Sequence, residues 1–152
     1  MYMHLAVEII LSSLTKVIKE VVSMDNEMIV VGDDWNNALN LTIDTNQPFN
    51  VYRARRREKI IEFMHDYDLV DIYRTLHSDI RKHSSRRFNG TQRSRFDYFL
   101  VSELLGLEIV SADMPGYCSD HSLLCIVLKM VTLKDTAPCG NSITHSFEIR
   151  CL

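Results

Sequence analysis

Short apolar runs that stop abruptly at polar residues constrain this chain more than any other feature. Met28–Val31, Phe96–Val101, Leu107–Ala112 and Leu123–Leu133 are rich in β-branched or aromatic residues and read as buried strands. Ahead of them, Leu5–Val22 places Ile10, Leu14, Val17, Ile18 and Val21 at helical spacing, with Lys16, Lys19 and Glu20 on the polar side. Asp25-Asn26 breaks that helix, and residues 32–50 form a loop rich in Asn. A second helix is predicted over residues 54–66, with Ile60, Ile61 and Met64 apolar, and Leu69–Leu76 fits a strand or a short helix equally well. Residues 81–95 read as a basic loop around one short strand, and Pro115-Gly116 as a turn. Beyond the last strand the pattern fades, so residues 134–152 read as a tail or linker behind a domain spanning 1–133. Helix–strand alternation followed by closely spaced strands predicts a layered α/β or α+β fold.

The 152 residues suffice for one domain with a sizeable core. With 46% hydrophobic and 24% charged residues and only 5 Gly and 3 Pro, the composition excludes a wholly disordered, collagen-like or low-complexity chain. No apolar run approaches the roughly 18 residues needed to span a bilayer, so no membrane association is expected. The segment MYMHLAVEIILSSL lacks the basic start of a secretory signal, and Cys118, Cys125, Cys139 and Cys151 form no CxxC pair or metal spacing. Reduced thiols and an intracellular location, nuclear or cytoplasmic, are expected.

Charge is unevenly placed. Residues 53–95 hold 12 of the 17 Lys and Arg but 6 of the 20 acids, whereas the remainder carries 5 bases and 14 acids. A basic middle flanked by acidic clusters suits a protein that grips a polyanion and acts on it through a metal ion; a pair of solvated faces is the plainer alternative.

Three clusters sit at strand ends. In Gly32-Asp33-Asp34-Trp35-Asn36, the alternate positions Asp34 and Asn36 point to one side of an extended chain, although Asp and Asn also make ordinary turns. In Arg95-Phe96-Asp97-Tyr98-Phe99-Leu100, a carboxylate within an apolar strand needs a partner. That partner is either a neighbouring Arg or a histidine that Asp97 orients. In Ser119-Asp120-His121-Ser122, the imidazole can move a proton near neutral pH and the carboxylate can hold a hard cation. His4, His65, His77, His83 and His145 have no such company and read as ordinary surface or partly buried residues.

Taken in order, VVGDDWN, DLVDIYRTLH (Asp68 to His77), SRFDYFLVS and SDHS resemble the endonuclease/exonuclease/phosphatase superfamily. Within it, they are most similar to the apurinic-type endonuclease domain of non-LTR (LINE-type) retrotransposons, whose pattern runs GGDFN, DLxDxWRxxHP, SRIDYFLVS, SDHS. The resemblance spans roughly residues 5–130 and implies a four-layered α/β sandwich that hydrolyses DNA phosphodiesters with Mg2+, and no small-molecule cofactor beyond that metal. It also implies the roles. Asp34 would activate or position the attacking water, Asn36 would orient it and the phosphate, and His121 would act at the phosphate with Asp97 hydrogen-bonded behind it. Asp120, Asp34 and Asn36 would serve the metal, while Arg86, Arg87, Arg93 and Arg95 would contact DNA. All five acidic, amide and imidazole groups are expected to converge at one end of the sheets.

The sequence departs from the family pattern at several positions. Asp33 stands where the family has its second Gly, and either raises the proton affinity of the Asp33–Asp34 pair or acts as a further metal ligand. Trp35 replaces Phe, Phe88-Asn89-Gly90 stands where FTW is usual, and Ser78 replaces the Pro. No segment corresponds to the family's N-terminal half, which carries a metal-binding Glu. The chain is therefore expected to be the second half of the domain, presenting a lone sheet with an uncovered apolar face and unpaired strand edges. Weak or absent nicking is expected, with a catalytically dead DNA-binding or interaction module as the alternative. A phosphoinositide phosphatase or sphingomyelinase branch fits SRFDYFLVS and DLVDIYRTLH less well.

Overall fold

The computed structural model describes residues 28–48, 51–87, 90–117, 120–132 and 143–151; the helix expected over Leu5–Val22 lies outside them. Two three-stranded antiparallel sheets form its frame. The first joins β1 (Val30–Asp34), β5 (Asp97–Ser102) and β2 (Leu69–Asp71) in the order β1-β5-β2. The second joins β6 (Ile109–Asp113), β7 (Leu124–Thr132) and β8 (Ile143–Cys151) in that order.

Strand β5 is buried throughout, and its alternate side chains serve two different cores. Phe99 and Val101 join Val30 of β1 and Leu124, Ile126 and Leu128 of β7 in a core between the sheets. Tyr98 and Leu100 face the other way, packing with Ile29, Val31, Trp35 and Leu69 against Ile60 and Phe63 of helix α1 (Val51–Asp66). Helix α1 thus forms one layer and the two sheets two more. The expected lone sheet with a bare apolar face is corrected by this arrangement: the chain supplies both sheets, and burial of β7's alternate residues closes the face of β5. Each fully buried side chain of this kind contributes roughly 1.5–3 kcal/mol.

Helix α1 buries Ile60 and Phe63 and half-buries Met64, Tyr67 just beyond it is half-buried, and the apolar Ile61 is exposed. The ambiguous Leu69–Leu76 segment is both things in turn: β2, then helix α2 (Ile72–Leu76), whose N-cap Asp71 accepts from Arg74 N at 3.3 Å. A third short helix, α3 (Glu103–Gly106), precedes β6. Where one short strand was expected in residues 81–95, two pair as a hairpin, β3 (Ser85–Arg86) with β4 (Arg93–Ser94). The segment 134–152, expected as a tail or linker, contains β8, which pairs with β7 from Leu124↔Cys151 to Thr132↔Ile143. Its Ile143, His145, Phe147, Ile149 and Cys151 alternate with Thr, Ser, Glu and Arg, the period-two signature of a strand.

Gly32 shows why the first cluster starts as it does. It lies opposite Phe99, and a Cβ there would stand 2.5 Å from the ring's Cε1 and 2.7 Å from Cδ1. The ring occupies the space a side chain would need, which lets β1 deliver Asp34 to the sheet end.

Candidate active site

Register brings the first two clusters together: Asp34, last in β1, pairs directly with Asp97, first in β5. The third arrives through the hairpin, because Ser85 bridges to His121 and Ser84 O accepts from Ser122 N at 2.6 Å. His121 Nδ1 donates to Asp97 at 2.9 Å (Oδ2) and 3.1 Å (Oδ1), the contact expected from the sequence. Buried Ser84 also accepts from Phe96 N and Asp97 N through its hydroxyl, each at 3.0 Å. Ser84 was not singled out from the sequence, because the two amides it accepts from lie 12 and 13 residues further along the chain.

Ligating atoms of Asp34, Asp97 and His121 lie within 4.8 Å of one another, a group that could hold a metal ion. Asp34 Oδ1 accepts from Asn36 N at 2.9 Å, and Asn36 adopts a left-handed φ of 51°, which Asn tolerates better than most residues. Asp97 and His121 Nδ1 engage each other, so Asp34 is the carboxylate best placed for a hard divalent cation.

Burial is the largest influence on Asp97 and pushes its carboxyl up, opposed by the Ser84 and His121 hydrogen bonds. For His121, burial disfavours the imidazolium, but the Asp97 hydrogen bond and the charges of Asp97, Asp34 and Asp120 prevail and raise it above its usual 6.5. The pair is built to hold a proton on the imidazole.

A cleft of about 430 Å³ opens beside these groups, lined by Asn36, Arg86, Arg87, Asp120 and His121 together with Gln47, Arg53, Gln92 and Phe96. The last four were not singled out from sequence. Arg93 is exposed on β4, with its Nε donating to Gly90 O at 3.3 Å. Asp120 is exposed on the cleft wall beside His121 and lies outside the Asp34–Asp97–His121 group.

Arg95 requires a correction. Expected at the DNA surface, it is 0% exposed, donating to Asp44 at 2.9 Å (Nε to Oδ1) and 3.1 Å (Nη2 to Oδ2) and to both oxygens of Asp71. Arg74 binds Asp44 as well. Two carboxylates held by guanidiniums in the interior tie the loop carrying Asp44 to β2 and to the entrance of β5.

Of the two expectations for Asp33, the raised proton affinity is the one the structure favours over the metal-ligand role. Side chains alternate along a strand, so Asp33 points away from the face that carries Asp34, and it lies outside the Asp34–Asp97–His121 group. Burial raises its carboxyl to about 6, with the charges of Asp34 and Asp97 adding to the rise and Arg56 opposing it. A carboxyl raised on folding stabilises the fold at low pH, and the contribution is lost as pH rises through about 6. Asp33→Asn is therefore expected to raise stability by about 2 kcal/mol at pH 7 and to change little near about pH 3.5. Equal urea midpoints for the two proteins at pH 7 would refute this.

No family model and no curated protein matches the chain. Solved structures do. An AP endonuclease from Archaeoglobus fulgidus aligns with a TM-score of 0.58 at 22% identity, covering 76% of this chain and 51% of that one. The described fold is similar to part of the fold of this AP endonuclease. AP endonuclease LMAP from Leishmania major aligns with a TM-score of 0.50 at 24% identity, over 61% of this chain and 32% of that one. The 3'-5' exonuclease NExo from Neisseria meningitidis gives 0.53 at 16%, over 70% and 46%. The chain therefore spans about half or less of the length of these nucleases. No helix among the described residues is long and apolar enough to cross a membrane.

Proposed function

We propose that this chain carries the hydrolytic centre of a DNA phosphodiesterase of the AP-endonuclease type, nicking one strand, and that it derives from a LINE-type retrotransposon. The observation that carries the activity is the Asp97–His121 hydrogen bond placed against Asp34 at the mouth of a cleft with arginines on its walls. Support for the retrotransposon origin is the ordered set VVGDDWN, DLVDIYRTLH, SRFDYFLVS and SDHS.

Arg86, Arg87 and Arg53 hold the phosphate backbone in the cleft. Asp34 orients the attacking water, and Asn36 holds the phosphate against it. His121, aligned through Nδ1 by Asp97, uses Nε2 to exchange a proton with the phosphate oxygens, and Asp97 offsets the imidazolium charge. Asp34 would hold a divalent cation, assigned here as Mg2+, with water and substrate oxygens completing its shell, and that ion would neutralise charge on the phosphate. With one carboxylate of the group not engaged by histidine, metal affinity and turnover are both expected to be low.

Relaxation of supercoiled plasmid is the test. Open circles should accumulate with magnesium and stop with a chelator, while binding of the same DNA persists in the chelator. Supercoiled DNA left intact at millimolar magnesium over prolonged incubation would overturn the proposal in favour of a binding module.

A further inference from the structure

Helix α1 places its charges against stability. Arg53, Arg55, Arg56, Arg57 and Lys59 crowd its first nine residues beside a single acid, Glu58, and no acid stands in the first turn. Cations at the positive end of a helix repel one another and the helix dipole, a cost that an anionic partner would relieve. Two stripes run along this half of the helix. Arg53 and Arg57 line a second hollow of about 220 Å³, completed by Asn37, Leu41, Pro48 and Phe96, and the Nε of Arg57 is buried without a hydrogen-bond partner. This hollow adjoins the active-site cleft, since Gln47, Arg53 and Phe96 line both, with Arg53 hydrogen-bonded to Gln47 and lying 4.9 Å over the Phe96 ring. The neighbouring stripe, Tyr52, Arg55 and Lys59 at helical spacing, faces solvent, and Tyr52 is 84% exposed. A largely exposed aromatic followed by two cations on one helix face matches how proteins track single strands, with guanidiniums on phosphates and a ring under a base.

We propose that the first half of α1 forms a second DNA-binding bank, continuous with the cleft through Arg53, and that it takes the unpaired strand flanking the cleavage point. The substrate class is then a duplex bearing a single-stranded tail, with phosphates on Arg53, Arg55 and Arg57 and an unpaired base stacked on Tyr52. This deepens the phosphodiesterase reading and rests on it for the position of the scissile bond.

The test measures binding of the full chain, in chelator, to a blunt hairpin duplex and to the same hairpin carrying a ten-thymidine tail. Wild type should prefer the tailed probe. Tyr52→Ala should weaken the tailed probe about 10-fold or more and leave the blunt one unchanged. Arg55→Gln should make the salt dependence of tailed-probe binding shallower by about 0.7 in log–log slope. Both side chains are exposed, so neither change threatens the fold. Equal affinity for the two probes, an unchanged tailed affinity in Tyr52→Ala, or no binding to either probe would overturn the inference. Nicking without tail preference defeats this inference alone, and tail preference without nicking defeats the hydrolytic reading alone.

Discussion

Arg95→Met is expected to cost about 3–5 kcal/mol of stability, the largest effect of any single change considered for this fold. The guanidinium is wholly enclosed, reaching Asp44 and Asp71 at once and lying 5.1 Å from the Tyr98 ring centre and 5.5 Å from that of Tyr73. Methionine fills much of the volume but leaves two interior carboxylates with Arg74 as the remaining guanidinium nearby. The pH dependence should change sign as well. Burial alone would raise the Asp44 carboxyl, but Arg95 and Arg74 overcome it and hold Asp44 below its usual range. In wild type that contribution is present above about pH 4 and is lost on acidification. Without Arg95 the burial effect prevails, so the variant should gain stability as pH falls toward about 4. Urea denaturation across pH 4 to 8 checks both statements; a loss below about 1 kcal/mol at pH 7 would show that the network is not what holds the loop to β5.

His121→Ala is expected to lower the nicking rate by about 100- to 10,000-fold, the range lost when a positioned acid–base group is removed. Affinity for plasmid in chelator should stay within a few-fold, because the phosphate grip belongs to the arginines of the cleft. Asp97→Asn should fall in the same range, since it removes the carboxylate that aligns Nδ1 and offsets imidazolium charge. The double variant should be little worse than either single one, because the two side chains act as a unit. A rate for His121→Ala within about threefold of wild type would remove the imidazole from the chemistry, and strictly additive losses would separate Asp97 from it.

Much of the strand framework was legible because burial alternation and short apolar runs are local. β1, β5, β6 and β7 fall within a few residues of their expected positions, and helix α1 starts three residues earlier than residue 54. β8 was also written locally, in the alternation of Ile143–Cys151, but the patternless residues before it hid the signal. The pairing of β3 with β4 left less to read, since two-residue strands carry no period. Within the site, the identities of Asp34, Asp97 and His121 were legible from residue chemistry at strand ends. Ser84 and the cleft residues Gln47, Arg53, Gln92 and Phe96 were not, because their roles come from neighbours distant in sequence.

The sequence by itself determined where the chain is extended or helical and which side chains bring a proton, a carboxylate or a guanidinium, since these depend on residue type and short-range spacing. Only the tertiary structure decided which polar groups meet. Arg95 reads as one more basic residue of a basic segment, yet it is interior because its partners Asp44 and Asp71 stand 51 and 24 residues away and a buried charge persists only where such partners close around it. The same holds for the centre: Asp34 and Asp97 face each other through strand register, and His121 joins them through the β3 bridge, so the site exists only once separate segments have paired.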